Sequence, residues 1–427
     1  MRSIGMDVHR DFCEIAIAEG GSVRAAGRVA TEPTALALFA QSLIESDEVA
    51  IEATANAVAI ARIIEPHVRR VVLANPKAVR EKSRRAKTDR IDANVLARLL
   101  AVGFLDEVWT PDEATQTRRR LITRRCALVR ARTRAKNQVH AVLARNLLER
   151  PPMSDVFGRK GRVWLAAQAD ALPVDERLSV QAGERQIDFL SSEIDQLDQL
   201  LGADAISDPD ALRLMTLPGV SVVTAIALLA AIGDIRRFST PRQLVAYLGL
   251  DPRVRQSGSQ PAKHGRISKQ GAGEVRGLLV EAAWHAARTP GPLHGFHSRL
   301  ALRRGSKIAT VATARKLVVI AWHLLSRGQE YAFVRPALYR EKLRKLELLL
   351  GAPRRQGQSL TGRQHLKTHQ RQAEKAIAAQ HEQAYLRIVT DWRASRPPRE
   401  TVGAGATPGR ASQTPSKGKA ARQATSP

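Results

Sequence analysis

The feature that most constrains the fold is a change in the pattern of apolar residues within residues 1–105. Three apolar runs, SIGMDV, FCEIAIAE and VRAAGRVAT, follow one another with only short turns between them. Beyond them, segments of helical periodicity alternate with the short apolar runs EVAIEAT and RRVVLANP. Three hairpin-linked strands followed by strand–helix alternation predict an antiparallel set joined to parallel strands and covered by helices.

Two acidic residues stand inside these predicted strands. Asp7 lies in SIGMDV and Glu52 lies in EVAIEAT, where a buried charge is costly unless it is paired or binds a metal. An RNase H-like sheet pairs its first and fourth strands at the centre, and this pairing would place Asp7 beside Glu52. A following helix could bring further acidic side chains over both of them.

The stretch AKTDRIDAN supplies such side chains. Asp89 and Asp92 are three residues apart near a predicted helix start, so they share one face of the helix. Taken alone, the pair has a simpler explanation, because aspartates at a helix N-terminus satisfy free amides and the macrodipole. Together with Asp7 and Glu52 they form four converging carboxylates, which repel one another unless cations neutralise them.

Such a set is typical of metal-dependent phosphodiester chemistry. Two Mg²⁺ ions about 4 Å apart are the usual arrangement, and hard oxygen ligands suit Mg²⁺ or Mn²⁺. The remaining histidines, including His9, His140 and His285, are not clustered in the sequence, and we interpret them as surface or core residues. The predicted catalytic and metal-binding residues are Asp7, Glu52, Asp89 and Asp92.

The charge of the chain indicates a polyanionic partner. There are 68 Lys and Arg residues against 41 Asp and Glu residues, a formal net charge of +27. A nucleic acid held through its phosphates is the simplest explanation, and a non-specifically basic protein is the alternative. Aromatic residues make up only 4% of the chain, which argues against recognition by stacked bases. The candidate phosphate contacts are Arg84, Arg85, Lys87, Arg118, Arg119, Arg120, Arg124, Arg125, Arg253, Arg255, Lys263, Arg266 and Lys269.

Residues 106–205 are predicted to be an arginine-rich helical region. Apolar residues recur there at heptad-like spacing in two segments, at Leu121, Leu128, Ala135 and Val142 and at Ile187, Leu190, Ile194, Leu197 and Leu201. This pattern predicts a short coiled-coil seam. The seam could join two helices of one chain in a hairpin, or two chains in a dimer.

Residues 206–345 are predicted to form a second, mostly helical unit that opens with a helix–tight turn–helix pattern, LMTLPGVSVVTAIALLAAIGD. Its apolar run at 222–233 is too short to span a bilayer and predicts a buried helix. Residues 346–427 are predicted to be a basic, largely disordered extension that contains one candidate helix, AEKAIAAQHEQAYLRIVTDW.

Cysteine usage and the N-terminus predict the compartment. Cys13 and Cys126 are far apart and lack metal-type spacing, which fits a reducing cytoplasm without a disulfide framework. The N-terminus MRSIGMDVHRDF carries charges where the apolar core of a signal peptide would lie. We therefore expect a cytoplasmic protein that does not enter a membrane.

Several of these motifs resemble one family. IGMDVHRDF, AIEAT, NP at 75–76 and KTDRIDA are similar to the RuvC-like DEDD domain of transposases of the insertion-sequence one-ten family, to which Piv-type DNA invertases are related. LPGVSVVTAIALLAAIGD, RQSGS and GRISKQGAGEVRGLLVEAAW resemble the second half of the same family. The ordered set, over about residues 1–340, is more specific than any one motif. The chain departs from the family at Ala55, Ser221 and Gly273, and none of these removes a required chemical group.

The resemblance implies roles for individual residues. The tetrad corresponds to Asp7, Glu52, Asp89 and Asp92, and the nucleophilic serine of the family's S-G-S motif corresponds to Ser257. It also implies strand exchange through a covalent phosphoserine link, in a site shared by the metal domain of one subunit and the serine domain of another. The implied partners are donor and target DNA, a structured guide RNA, and further copies of the chain in a homodimer or homotetramer.

Without the resemblance, Ser257 is an ordinary loop serine in the basic segment RVRQSGSQPAKHGR. Serine is a weak nucleophile unless it is activated, and His264 is the one local candidate base in the sequence. Gly258 permits a phosphate to approach the backbone closely. Ser259 and Ser268 are competing nucleophiles, although Ser268 is predicted to cap the helix that follows.

Two other functions remain as alternatives. A RuvC-like Holliday junction resolvase or nuclease would use metal-activated water alone, and it would keep its activity after Ser257→Ala. A non-catalytic nucleic-acid-binding protein would keep its function after Asp7→Ala or Asp89→Asn, because neither change removes a positive charge.

Overall fold

The computed structural model describes residues 1–76, 79, 88–149, 151–258, 261–353 and 360–395. Within this part of the chain, a five-stranded sheet with its helices forms the N-terminal unit. A pair of long helices forms the middle, and a mostly helical unit follows. The predicted order of an α/β unit followed by helices is confirmed.

The N-terminal sheet is mixed. Its strands are β1 (Ser3–Val8), β2 (Phe12–Glu19), β3 (Ser22–Ala30), β4 (Glu48–Glu52) and β5 (Arg70–Ala74). They lie in the order β3-β2-β1-β4-β5, with β1, β2 and β3 antiparallel and β1, β4 and β5 parallel. The predicted joining of a hairpin set to parallel strands is therefore confirmed, and the first and fourth strands are neighbours.

Helices cover both faces of this sheet. They are α1 (Pro33–Gln41), α2 (Ala57–Ile64) and α3 (Asp89–Ala101). Helices α1 and α2 pack on the face that carries the fully buried side chains Ile4 and Met6. Helix α3 packs on the opposite face, where small side chains of β2 meet small side chains of the helix.

Gly5 allows α3 to lie directly against the sheet. A Cβ atom at this position would collide with the carbonyl oxygen of Ala93 and would lie 2.5 Å from the backbone nitrogen of Ala97. Ala16 and Ala18 of β2 contact the same alanines of α3. The short distance between helix and sheet holds the first turn of α3 over the end of β1.

We expect Gly5→Ala to destabilise the N-terminal unit by about 1–3 kcal/mol, the usual cost of overpacking a core. The added methyl group can be accommodated only if α3 moves away from β1. Urea unfolding measures the change in the free energy of unfolding. The matched control is Gly277→Ala in the C-terminal unit, where a Cβ atom meets open space and where alanine favours the helix. A Gly5→Ala variant as stable as the wild type would contradict this packing.

The middle of the chain is an antiparallel hairpin of long helices. Its two long helices are α4 (Glu113–Arg145) and α6 (Val174–Ser207), and the shorter helix α5 (Arg159–Ala169) lies between them in the sequence. Leu128 of α4 packs against Leu190 and Ile194 of α6, so the two apolar repeats meet within one chain. Ile122 and Leu201, at the base of the hairpin, belong to the core of the C-terminal unit. The predicted apolar seam thus joins two helices of one chain, which is the first of the two alternatives given above.

The C-terminal unit is built around one apolar helix. Its helices are α7 (Pro209–Met215), α8 (Val222–Ile232), α9 (Pro241–Tyr247), α10 (Gly273–Arg288), α11 (Pro292–Arg304), α12 (Ser306–Arg327) and α13 (Pro336–Leu349). Every residue of α8 from Thr224 onward is buried, which confirms the predicted buried helix. Gly219, with φ +81°, forms the tight turn before it, and a Cβ atom there would collide with the carbonyl oxygen of Ala282.

Helix α12 is the one described helix long and apolar enough to cross a membrane. Half of its apolar window is buried within the protein, and residues such as Leu317 and Val318 belong to the main C-terminal core. Its composition is explained by this packing.

A short hairpin interrupts the helices of the C-terminal unit. Its strands are β6 (Pro252–Arg255) and β7 (Lys263–Ile267), which the sequence pattern did not predict. Ser268 follows β7, and its hydroxyl donates to the Asp251 carboxylate at 2.6 Å. Helix α10 begins only at Gly273, so the predicted capping role of Ser268 is wrong.

The C-terminal extension contains a long helix, α14 (Leu360–Ala394). It includes the predicted helix, residues 373–392, and begins 13 residues before it, so residues 360–372 are helical where the sequence predicted disorder. Glu382 of α14 accepts a hydrogen bond from the backbone nitrogen of Gly291 at 3.0 Å and contacts the His294 ring at 2.6 Å. Residues 396–427, predicted to be disordered, lie outside the described residues.

Candidate metal centre and nucleic-acid interface

Asp7 lies near the carboxyl end of β1 and is 8% exposed. It is two residues beyond Gly5, so its side chain points to the face of the sheet that α3 covers. The register of β1 and β4 ends with Met6 opposite Ile51, and the next residues along the two strands are Asp7 and Glu52. The predicted neighbouring positions of these two acids at the sheet centre follow from this register.

Asp89 and Asp92 occupy the first turn of α3. The helix is capped by Thr88, whose hydroxyl accepts a hydrogen bond from the backbone nitrogen of Ile91 at 3.3 Å. Neither aspartate is the N-cap, so of the simpler explanation only the interaction with the helix macrodipole applies to the pair. Both carboxylates lie close enough to Asp7 to raise its pKa.

His9 also belongs to this group. Its Nε2 atom lies 3.0 Å from Oδ2 of Asp7 and 3.4 Å from Oδ1 of Asp89. One donor atom from each of these three residues falls within 4.8 Å of the others. The interpretation of His9 as an isolated histidine was therefore wrong. The available signal was its spacing of two from Asp7, which places both side chains on one side of an extended segment.

Glu14 is a second buried acid beside the group. It is the antiparallel partner of Asp7 and is 6% exposed. Nε of Arg28 on β3 lies 2.6 Å from its carboxylate, and the same guanidinium stacks over the Phe12 ring at 4.3 Å. This ion pair compensates one negative charge next to Asp7, and sequence reasoning did not predict it.

The electrostatic environment raises the pKa of Asp7. Burial is the main cause, and repulsion by Asp92 and Asp89 adds to it, while the nearby His9 opposes the shift. The ionised form of Asp7 is therefore destabilised in the metal-free protein. Perturbed carboxylates of this kind are frequent at functional sites, where a bound cation can offset the penalty.

We expect Asp7→Asn to raise the thermal stability of the metal-free protein at pH 7. Because the folded pKa of Asp7 is raised, the folded state loses stability as pH rises above the unfolded value near 3.9. Each unit of pKa elevation corresponds to about 1.4 kcal/mol. In EDTA, the melting temperature of the variant should exceed that of the wild type at pH 7, and this advantage should shrink towards pH 4. An advantage that is independent of pH would contradict an electrostatic origin.

The donor set fits a hard or borderline divalent cation. Carboxylate oxygens of Asp7 and Asp89 both lie beside Nε2 of His9. Asp92 follows Asp89 by three residues on α3, and Glu52 follows Ile51 on β4, next to β1. Such oxygen-rich sets suit Mg²⁺ and Mn²⁺. Asp7 is buried, and the half-buried carboxylates of Asp89 and Asp92 approach it, an arrangement that a bound cation would stabilise.

Ser257 lies in the C-terminal unit, in the loop between β6 and β7, and is exposed. Gly258 beside it has φ +55°, and among the described residues no atom lies within 4 Å of the position that a Cβ atom would take. Ser259 and the side chain of His264 lie outside the described residues. The roles predicted for Ser257 and His264 therefore stay predictions.

The same hairpin carries a cluster of cations. Arg255 of β6 is paired with Lys263 of β7, and like charges at directly opposite positions destabilise a sheet unless an anion lies between them. Both side chains are exposed, as are the other predicted contacts in this region, Arg253, Arg266 and Lys269. This hairpin presents a positive surface next to Ser257.

The arginines of α4 are divided between internal and surface positions. Arg118 donates to two aspartates at the end of α6 at 2.7 and 2.8 Å, and Arg119 donates to the last carbonyls of α8. Arg125 donates to Asp198 at 3.0 Å. Arg118 and Arg125 therefore join α4 to α6, and Arg119 joins α4 to the C-terminal unit, a structural role that sequence reasoning missed.

Arg120 and Arg124 lie on the surface of α4. Arg120 donates to Glu113 at 2.6 Å. The other predicted phosphate contacts, Arg84, Arg85 and Lys87, lie outside the described residues. For all of them, contact with nucleic acid remains a prediction.

Two family models match the chain in the order in which these sites occur. A DEDD transposase model matches residues 4–146, a range that contains the four acids and His9. A second model, described as transposase IS116/IS110/IS902 family, matches residues 211–298, which contain the hairpin and Ser257.

A transposase for the insertion sequence element IS1328 of Yersinia enterocolitica is 30% identical over 288 residues, which cover 66% of this chain and 85% of that protein. The chain belongs to the IS110 family of insertion-sequence transposases. A probable family 20 transposase of Pseudomonas aeruginosa is 30% identical over 298 residues, with 66% and 85% coverage. The resemblance seen in the sequence motifs is confirmed.

The relationship extends to a DNA-inverting protein. The pilin gene-inverting protein of Moraxella bovis is 31% identical over 148 residues, which cover 33% of this chain and 46% of that protein. Transposases and such a gene-inverting relative together imply that this IS110-family member is a DNA-cutting and joining enzyme. The family's DEDD set also indicates a divalent metal, in agreement with the group at Asp7 and Asp89.

Proposed function

We propose that the protein transposes its insertion sequence by cutting and rejoining DNA with two sets of residues. An RNase H-like unit holds divalent ions, Mg²⁺ or Mn²⁺, through Asp7, Glu52, Asp89 and Asp92. The C-terminal unit supplies Ser257 as the nucleophile. The observation that carries the proposal is the convergence of Asp7, Asp89 and Asp92 at one end of a sheet whose first and fourth strands are paired.

The strands and helices of the N-terminal unit set the positions of the acids. Asp7 is held by β1 and by the turn that follows it, while Asp89 and Asp92 are fixed by the close packing of α3 on Gly5. When bound, a divalent cation would neutralise phosphate charge and polarise the phosphodiester. Arg28 neutralises the charge of Glu14. The bound cation would therefore neutralise only the charges of the four tetrad acids.

In the proposed reaction, one phosphoester bond forms at Ser257 as another breaks in the DNA. Its hydroxyl oxygen forms a bond to phosphorus, and the phosphodiester bond to one deoxyribose oxygen breaks. The serine proton passes to a base, and the released deoxyribose oxygen gains a proton as a free hydroxyl. Attack by a deoxyribose hydroxyl on the phosphoserine reverses these changes and joins the new strand, so no external energy source is required.

The positive hairpin would hold the DNA at the serine. The opposed cations Arg255 and Lys263 gain stability when a phosphate lies between them, and Arg253 and Arg266 extend the same surface. Charge-based holding of this kind predicts steep salt dependence. Arginines of α4 that reach the surface, Arg120 and Arg124, would contact a second nucleic-acid segment.

The two separate sets of residues suggest how many subunits take part in the reaction. One set lies on the N-terminal sheet and the other on the β6–β7 hairpin, and we propose that a complete site combines the metal unit of one subunit with Ser257 of another. A homodimer is then the minimum, and a homotetramer serves two duplexes. We further propose a structured guide RNA transcribed from the element, and action in the cytoplasm.

The test is a search for a covalent protein–DNA adduct. The protein is expressed in cells together with the flanking DNA of its element, complexes are denatured, and tryptic peptides that contain Ser257 are examined for attached nucleotide. We expect an adduct that depends on both Ser257 and Asp7. Cleaved DNA without an adduct would instead support a metal-only nuclease, and intact DNA with tight binding would support a non-catalytic protein.

A further inference from the structure

We propose that His9 is a nitrogen ligand of the cation at Asp7 and Asp89, and that it shifts the preference of the site from Mg²⁺ towards a transition-metal ion such as Mn²⁺. The inference rests on the proposed function, because it assumes that the four acids bind a divalent cation. It adds a residue that the tetrad does not contain.

The distances match neighbouring corners of a coordination octahedron. Ligand atoms about 2.1 Å from an ion and at right angles to each other are separated by about 3 Å. Nε2 of His9 lies 3.0 Å from the Asp7 oxygen and 3.4 Å from the Asp89 oxygen. Since the three donor atoms all lie within 4.8 Å of one another, a single ion could contact all of them.

The ring of His9 is held in this position by its surroundings. Its backbone nitrogen donates to the carbonyl oxygen of Phe12 at 2.9 Å, and its carbonyl oxygen accepts from the Thr31 hydroxyl at 3.1 Å. The imidazole packs against the Phe12 ring, with the two centroids 5.1 Å apart. The turn between β1 and β2 thus directs Nε2 at the two carboxylates, while the side chain remains 39% exposed and open to an entering ion.

A nitrogen donor changes which ion binds best. Mg²⁺ prefers oxygen ligands and retains its water molecules, whereas first-row transition-metal ions accept imidazole readily. Two carboxylates and one imidazole would supply three ligands to a bound ion and would leave coordination positions for substrate oxygens. The site is therefore expected to bind Mn²⁺ more tightly than an all-oxygen set of the same charge would.

The test is electron spin-echo spectroscopy of Mn²⁺ bound to the full-length protein, without DNA. A directly coordinated imidazole nitrogen produces ¹⁴N modulation of the Mn²⁺ signal. We expect this modulation in the wild type and its loss in His9→Ala and His9→Gln. The same samples give the Mn²⁺ affinity, which should fall by at least the ~10–100-fold that even an outer-shell partner of a metal ligand is worth, with a smaller change for Mg²⁺.

The matched control is His67→Ala. His67 lies just before β5, and because β5 and β1 both run parallel to β4, it lies at the opposite end of the strands from Asp7. Its replacement should leave the ¹⁴N modulation unchanged. Bound Mn²⁺ without modulation in the wild type, or modulation that persists in His9→Ala, would overturn the role of His9 and leave the tetrad intact. Failure of the wild type to bind Mn²⁺ would overturn both this inference and the proposed metal function.

Discussion

Replacing Asp89 by asparagine is expected to abolish DNA strand cleavage while leaving DNA binding intact or slightly stronger. The change keeps the size of the side chain and the first turn of α3, because Thr88 and not Asp89 caps the helix. It removes one of the carboxylates that face Asp7. Metal ions contribute several kcal/mol to phosphoryl transition states, and each ~1.4 kcal/mol is a factor of ten, so we expect a loss of about a thousandfold or more.

The measurement pairs cleavage with binding at one salt concentration. Cleavage is followed on labelled element ends in the presence of Mg²⁺ or Mn²⁺, and binding is followed by fluorescence anisotropy. Removal of a negative charge should not weaken binding to a polyanion. The matched control is Asp195→Asn, which makes the same charge change on an exposed position of α6. Wild-type cleavage by Asp89→Asn, or equal losses in both variants, would argue against a tetrad at this site.

Replacing Ser257 by alanine is expected to remove the covalent adduct and strand exchange completely. The hydroxyl group is exposed in the β6–β7 loop, so its loss should change neither the fold nor metal binding. A reaction that proceeds through a phosphoserine has no route without this oxygen. Mn²⁺ binding and melting temperature, measured on the same preparation, should match the wild type.

The neighbouring serine provides the control for this prediction. Ser259→Ala changes the second serine of the same S-G-S motif and should retain both adduct and exchange. An adduct that survives Ser257→Ala but not Ser259→Ala would identify Ser259 as the nucleophile instead of Ser257. Unchanged cleavage in both variants, with no adduct in any of them, would leave a nuclease that relies on the metal site alone.

The contrast between the two units shows where sequence reasoning succeeded. The strands and helices of residues 1–105 followed their apolar periodicity closely, since each pattern repeats over a few neighbouring residues. The short strands β6 and β7 were missed because glycine, proline and charged residues obscure any alternation there. Helix α14 was underestimated at its start for a similar reason, because its first turns are polar and lack an apolar stripe.

The sequence by itself determined the order of the elements and the presence of acids inside strands where a charge is costly. Only the tertiary structure decided which side chains meet. His9 joins Asp7 and Asp89, Arg28 neutralises Glu14, and Arg118 joins α4 to the end of α6. Each of these contacts joins elements separated along the chain or depends on how closely two elements pack. Local periodicity carries no such information, because the distance between α3 and the sheet is set by the absence of a side chain at Gly5, on a different element.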